Sequence, residues 1–359
     1  MSEGFAAVES AARAVLPAVP QSVLRGEAAC GLYGLGFLGR WAAARLRQQG
    51  IKLAAGYDGN PALHGTSVSG LLVHAPAALQ AKAPEFIFIG VRHAVGPVSA
   101  MLADYGIAHV SYDAFHVASH IDAFRAIDAR LDDDRSRAVL RAVLMGMLTG
   151  DARHCIAIAE PDQYFCLPRF RGAMGEIFVD AGAFVGDTVE RFIWAHTGAF
   201  ARIHAFEPGP RQFAALQTRA RRLIAEWAID PASLVLNNAG LGETGATLTA
   251  QSDSGQLTSL ALGAATGAPA DVLSLDSYLK GERVTFLKAD VEGMEMALLK
   301  GARTTIQRDR PKIAVCVYHY PADIPEITQY LAELVPDYKF ALRHHGPQLM
   351  ETVLYCWTE

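Results

Sequence analysis

The residues best suited to chemistry in this chain stand at the ends of short apolar runs in its second half. Asp180, Gly182 and Gly186 follow EIFVDA and lead through a turn to Asp187 and Thr188. Glu207 ends RIHAFEP, Asn238 ends SLVLNNAG, Asp290 and Glu292 end VTFLKADVEG, and His319 ends KIAVCVYH. Gly182 and Gly186 let backbone approach a ligand closely. Glu207 follows Gly182 by 25 residues, about one helix plus one strand, and an acid there is placed to accept both hydroxyls of a ribose. The turn lacks the Gly-Lys-Ser/Thr of a phosphate loop. Alone, the glycines would read as a tight turn and the acid as a solvated cap. In order on successive strand ends, they point to an adenosine-type ligand without phosphates, and so to S-adenosylmethionine.

The elements that must position these residues are legible as alternation. Five apolar runs are mostly separated by helical segments such as DTVERFIWAH and RQFAALQTRARRLIAEW, which predicts an α/β fold with a parallel sheet. Ligands of such sheets bind outside the carboxyl ends of the strands, where all of these residues fall. Two further runs, YKFALRHH and ETVLYCWT, are joined by a short turn and predict an antiparallel pair at the edge. The sheet is thus expected to be seven-stranded and mostly parallel.

This half resembles the FkbM family of S-adenosylmethionine-dependent methyltransferases. The resemblance is carried by EIFVDAGAFVGDT (176–188), IHAFEPGP (203–210), NNAGLGETG (237–245), LSLDSYL (273–279), VTFLKADVEGMEMALLKGA (284–302) and PKIAVCVYH (311–319). It covers residues 161–359, including QYF (163–165). It implies that Asp180 and Gly182 line the methionine and adenosine parts of the cofactor, that Glu207 holds the ribose and that Asn238 lies near the adenine. Gly186, Asp187, Thr188, Asp290 and Glu292 complete the cofactor-binding candidates. Phe184-Val185 departs from the more polar pair common in relatives. The implied reaction is O-methylation of a hydroxyl on a sugar, glycan or secondary-metabolite acceptor.

Such a transfer needs the acceptor aligned behind the methyl group and its proton removed. His319 is the first candidate base, because an unperturbed imidazole titrates near neutrality. A buried structural histidine is the plainer alternative. Asp290 could orient the acceptor or the cofactor amine, and Lys288, two residues earlier, shares its side of the strand. Asp290, Glu292 and His319 offer oxygen and nitrogen ligands, but no dedicated metal motif is present and no metal is expected.

The first half repeats the alternation on a smaller scale. CGLYG, KLAAGYD, EFIFIGV and AHVSYDAF predict four strands, with helices over 40–50 and 95–106. Gly34, Gly36 and Gly39 form a GxGxxG after the first strand, and Asp58 ends the second, 19 residues beyond Gly39. That is a dinucleotide fingerprint in its proper context. The glycines serve either a ligand or close strand–helix packing. The motif resembles small Rossmann-like domains of sugar-modifying enzymes, which implies a nucleotide or nucleotide-sugar ligand. An NAD(P)- or nucleotide-sugar-binding oxidoreductase or sensor centred here is the competing reading. The expected organisation is a helical arm over 1–25, a Rossmann-like domain over 26–118, a helical connector over 119–160 and a methyltransferase domain over 161–359.

Composition narrows the remaining classes. The 359 residues are 51% hydrophobic and 19% charged, enough apolar material for two cores. Thirty-two Lys+Arg against 37 Asp+Glu give a net charge of -5, unlike the basic surface of a nucleic-acid binder. Mean hydropathy is +0.16, yet no apolar stretch approaches the ~20 residues of a membrane span. The first residues lack a signal peptide's basic and apolar segments. Five widely spaced cysteines read as reduced buried thiols, so a cytoplasmic location is expected. Oligomeric state is not legible.

Overall fold

The computed structural model describes residues 3–251, 259–261 and 268–359. Its first sheet contains β1 (Ala29–Tyr33), β2 (Lys52–Tyr57), β3 (Ser67–Val68), β4 (Leu71–His74), β5 (Phe86–Ile89) and β6 (Ala108–Ser111). The spatial order is β3-β4-β2-β1-β5-β6, parallel except for β3 with β4. All four residues of β5 are buried, as a parallel strand covered on both faces requires. After β1 the chain builds outward on one side and then crosses to β5 on the other. The switch point between β1 and β5 is the place where such sheets open a crevice. Four strands are predicted here and six are found. The additional pair turns through Ser69 and Gly70, and strands of two and four residues are too short to show an alternation.

The second half contains β7 (Glu176–Ala181), β8 (Phe200–Phe206), β9 (Leu234–Asn237), β10 (Gly240–Leu241), β11 (Ala246–Gln251), β12 (Ser259–Ala261), β13 (Ala268–Leu273), β14 (Phe286–Ala289), β15 (Lys312–Cys316), β16 (Lys339–His344) and β17 (Thr352–Trp357). Seven of them form the main sheet in the order β16-β17-β15-β14-β7-β8-β9. Only β17 runs antiparallel to its neighbours. The mostly parallel seven-stranded sheet with an antiparallel edge is therefore as expected, with β17 inserted between β15 and the edge strand β16. Its switch point lies between β7 and β14, the strands that carry Asp180 and Asp290 to one rim. The strands β10 to β13 make a small separate sheet that sequence alternation did not reveal.

Eight helices bear on the site: α1 (Glu3–Val15), α2 (Phe37–Gln48), α3 (Val95–Asp104), α4 (Asp134–Thr149), α5 (Asp187–Ala195), α6 (Pro210–Trp227), α7 (Glu295–Gly301) and α8 (Asp323–Leu334). Asp133 caps α4 by accepting from the Ser136 amide at 2.7 Å, and Gly150 ends it in the left-handed region at φ 70. Its stripe of Val139, Leu140, Val143, Leu144 and Met147 is buried in one core with Phe5 and Val8 of α1 and Leu342 and Leu354 of the second sheet. The helical segments thus seal one face of that sheet.

The two sheets meet rim to rim. The Tyr320 ring, just beyond β15, is sandwiched by two residues of α2: Phe37 at 4.8 Å and Trp41 at 4.7 Å, both nearly parallel. Arg92, just beyond β5, donates to both oxygens of Asp113 at 2.6 and 3.0 Å. It also donates to the Tyr318 carbonyl in the other half. One partly buried guanidinium therefore ties the rim of the first sheet to that of the second.

Candidate active site

A cavity of about 250 Å³ opens at the β7–β14 switch point. Gly182 lines it at φ 78, a conformation that favours glycine. A Cβ at that position would stand 1.8 Å from the Asp290 carbonyl oxygen, so a side chain there would push the two strand ends apart. Glu207, at the end of β8, is buried on the same wall. Its carboxylate accepts from the Phe184 amide at 2.9 Å and from the Gly209 amide at 2.7 Å. These bonds set the glycine turn against the next strand and leave outward lone pairs for a ligand's hydroxyls. Burial pushes the Glu207 pKa up to about 7.

Asp290 forms the opposite wall. Tyr164 donates its hydroxyl to one carboxylate oxygen at 2.9 Å, and Tyr318 donates to the other at 3.2 Å. Burial alone would raise the Asp290 pKa, but Lys288, His319 and these hydroxyls hold it below the usual carboxylate value. It is an ionised group facing the cavity, suited to a cationic ligand. Tyr164, Phe184, Glu292 and Glu351 all line the cavity with positive φ. They are four of the ten non-glycine residues so strained among the described residues, a concentration characteristic of working sites.

His319 stands beside this wall, its side chain 5% exposed. Nε2 is 3.7 Å from Asp290 Oδ1 and 3.6 Å from Glu292 Oε2, and Nδ1 is 3.2 Å from Glu295 Oε1. Each nitrogen thus stands within ion-pairing distance of a carboxylate, Nε2 of Asp290 and Glu292 and Nδ1 of Glu295. Burial would depress its pKa, but Glu295, Glu292 and Asp290 outweigh it and lift the pKa well above the ordinary value. This corrects the expectation of a base near neutrality: three carboxylates around one ring favour the imidazolium. Asp290, Glu295 and His319 also form a group that could hold a metal ion. The Glu295 carboxylate accepts from the Val291 amide at 2.8 Å, which fixes it beneath the ring.

A larger cavity of about 810 Å³ lies between the sheets. Gly34, Gly36 and Asp58 line it from the first sheet and His319 from the second. Glu292, Tyr318 and Met350 line both cavities, so the two are neighbours across a shared wall.

Six of the nine residues expected at the cofactor line the smaller cavity: Gly182, Asp187, Thr188, Glu207, Asp290 and Glu292. The other three do not line it. Asp180 is fully buried, with Lys288 Nζ 3.0 Å from its carboxylate, and the same ammonium donates to the Ala181 and Gly182 carbonyls. Asp180 therefore acts through Lys288, holding the glycine turn from below. Gly186, at φ 83, precedes α5 with Leu216 packed against it. Asn238 donates to the Glu207 and Pro208 carbonyls and braces that loop. In the first half, Gly39 is likewise off the cavity, packed against the Gly34 carbonyl.

Tyr164, Tyr318, Lys288 and Glu351 reach the cavity without having been singled out as site residues. Tyr164 lies ahead of β7 and meets Asp290 across 126 residues, a contact no local pattern announces. Glu295 was legible only as an acid near the start of a helix; its place beneath His319 depends on the turn after β14.

Residues 180–340 match the model of the methyltransferase FkbM domain. Among solved structures, a methyltransferase FkbM from Methylobacillus flagellatus KT is 24% identical, covers 99% of both chains and superposes with a TM-score of 0.62. This shows a shared fold over the whole chain. An rRNA methylase from Streptococcus thermophilus is 15% identical over 52% of this chain and 87% of its own, with a TM-score of 0.33. Aeropyrum pernix fibrillarin, solved with natively bound S-adenosyl-L-methionine, is 15% identical over 52% of this chain and 68% of its own, at 0.31. No curated protein matches the chain significantly. The family match falls on the strands and turns that build much of the smaller cavity, and over those residues the chain is similar to a methyltransferase FkbM domain.

Proposed function

We propose that the protein is an S-adenosylmethionine-dependent O-methyltransferase acting on a hydroxyl of a sugar, glycan or secondary-metabolite acceptor. The observation that carries this reading is the smaller cavity. Glu207, the glycine turn and ionised Asp290 line it in that order, matching ribose hydroxyls, a nucleoside and the ammonium of an amino-acid arm. S-adenosylmethionine supplies an activated methyl group on a sulfonium. The chain's own residues do the rest. Glu207 accepts from the ribose hydroxyls. Asp290, fixed by Tyr164 and Tyr318, attracts the ammonium of that arm. Phe184 and Met350 supply apolar lining to the cavity.

The acceptor hydroxyl must lose its proton as its oxygen is methylated. His319 Nε2 is the assigned proton acceptor, oriented by Glu295 on Nδ1. Because its carboxylate neighbours stabilise the protonated ring, the neutral form that can act as base grows with rising pH.

Titration calorimetry with S-adenosylhomocysteine tests the cofactor assignment. Wild type should bind, and Glu207→Ala should lose roughly 10–100-fold in affinity, the cost of removing a charged hydrogen-bond acceptor. Unchanged affinity in the variant would refute the ribose assignment.

A further inference from the structure

We propose that the larger cavity is the acceptor site, and that it takes an uncharged molecule with an apolar ring or chain body and a free hydroxyl at one end. This rests on the methyl-transfer reading above and narrows the acceptor to one chemical class.

At about 810 Å³, the cavity falls within the roughly 300–1,000 Å³ of pockets that enclose drug-sized ligands. Both halves of the chain line it with apolar side chains: Phe37 and Leu38 of α2, Val91 beyond β5, Val95 and Pro97 of α3, and Leu349 ahead of β17. Met350 lines it too and is 41% exposed, in a protein that buries most of its other large apolar side chains. Apolar surface left open inside such a concave space marks a place that a ligand covers. Methionine suits it, because a flexible thioether adapts to apolar partners of different shape.

The charged groups of the cavity exclude anionic acceptors. Among the described residues, Arg92 is the single Lys or Arg that lines it. Its guanidinium is already committed to Asp113 at 2.6 and 3.0 Å and to the Tyr318 carbonyl. No uncommitted guanidinium or ammonium is left there to pair with a phosphate, sulfate or carboxylate. At the wall shared with the smaller cavity, such a group would also meet the carboxylates of Glu292 and Asp290.

A sugar fits little better. Asp58 already accepts from the Leu35 amide at 2.7 Å and the Asn60 amide at 2.8 Å, and Asn60 Oδ1 accepts from the Ala62 amide at 3.1 Å. Few lone pairs remain on this rim, whereas a sugar carries hydroxyls all round its ring. Those turned toward Phe37, Leu38 and Val95 would be buried unpaired. One hydroxyl, by contrast, has a defined place. Glu292, Tyr318 and Met350 line both cavities, and Glu292 Oε2 stands 3.6 Å from His319 Nε2. A hydroxyl at this wall meets a carboxylate and an imidazole side by side, with the apolar body lying toward α2 and α3.

The test is titration calorimetry on the full chain saturated with S-adenosylhomocysteine, using 2-naphthol, 2-naphthyl phosphate and methyl β-glucoside as probes. The first two share an apolar body and differ in charge, and the third is an uncharged polyol. A Val95→Asp variant is compared with wild type. Val95 is the first residue of α3, whose first turn has no acid, so aspartate suits the helix start while placing a charge on the cavity wall. Leu38→Asp repeats the comparison from α2, whose first turn also lacks an acid. We expect 2-naphthol to bind wild type about tenfold or more tighter than either other probe, and to lose about tenfold or more in each variant. Affinity for S-adenosylhomocysteine should be unchanged in both. Tighter binding of the phosphate or the glucoside would overturn the proposal. So would 2-naphthol binding that is absent from wild type or indifferent to both variants, while intact S-adenosylhomocysteine binding leaves the methyl-transfer reading standing. Failure of wild type to bind S-adenosylhomocysteine would overturn both.

Discussion

Glu207 and His319 are both titratable groups whose environment moves them away from ordinary behaviour, in ways that assays can read. Glu207 has a pKa raised to about 7 by burial, and a ribose donating to it favours the carboxylate. Binding should therefore release a proton. Affinity for S-adenosylhomocysteine should be highest above about pH 7 and fall as pH drops through that value. Calorimetry across pH would check this, and Glu207→Gln should flatten the profile. His319 runs in the same direction: its pKa is raised, and only its neutral form can take a proton. Turnover should climb with pH and level off only well above the ordinary histidine value. Replacing Glu295 with Gln removes a charge that holds the proton on the ring, so the climb should begin at lower pH. His319→Ala should cost roughly 10²–10⁴ in kcat, the usual share of a general base. A flat pH profile shared by wild type and Glu295→Gln would assign the proton to another group.

At the scale of elements, β7 and β14 make the site because their register places Lys288 opposite Asp180. Burial disfavours the Asp180 carboxylate, and the ammonium of Lys288 compensates at 3.0 Å. Breaking such a pair from one side leaves an uncompensated buried charge. Lys288→Met should cost about 3–5 kcal/mol in denaturant unfolding, and adding Asp180→Asn should recover most of it. No recovery in the double variant would mean that the carbonyl bonds of Lys288, rather than its charge, support the glycine turn.

Considered as a whole, the protein places its two sheet rims against one another and closes the contact with α2. Tyr320 between Phe37 and Trp41 gives two stacked pairs, worth about 0.5–1.5 kcal/mol each beyond burial. Tyr320→Ala should therefore lower unfolding stability by roughly 1–3 kcal/mol. It should also raise the acceptor KM while leaving S-adenosylhomocysteine affinity unchanged, because it touches the interface and not the smaller cavity. An equal loss of cofactor affinity would show that the rims form one cooperative site.

Much of this was written locally. Alternating apolar runs specify the strands, since each must be covered by helices on both faces, and the polar residues at their ends mark the binding rim. The glycine turn at Gly182, the acid at Glu207 and the pair Asp290 and His319 were legible for that reason. Strand pairing decided what lay beyond local reach. Asp180 sits behind the wall because β14 sets Lys288 opposite it, and Tyr164 enters the site from a segment that precedes the whole sheet. The charge on His319 depends on Glu295, which reaches the ring only because the chain turns back after β14. The fingerprint of the first sheet could not show that its crevice abuts a second one. Its spacing is local, whereas the shared wall of Glu292, Tyr318 and Met350 exists only where two separately wound sheets pack rim to rim.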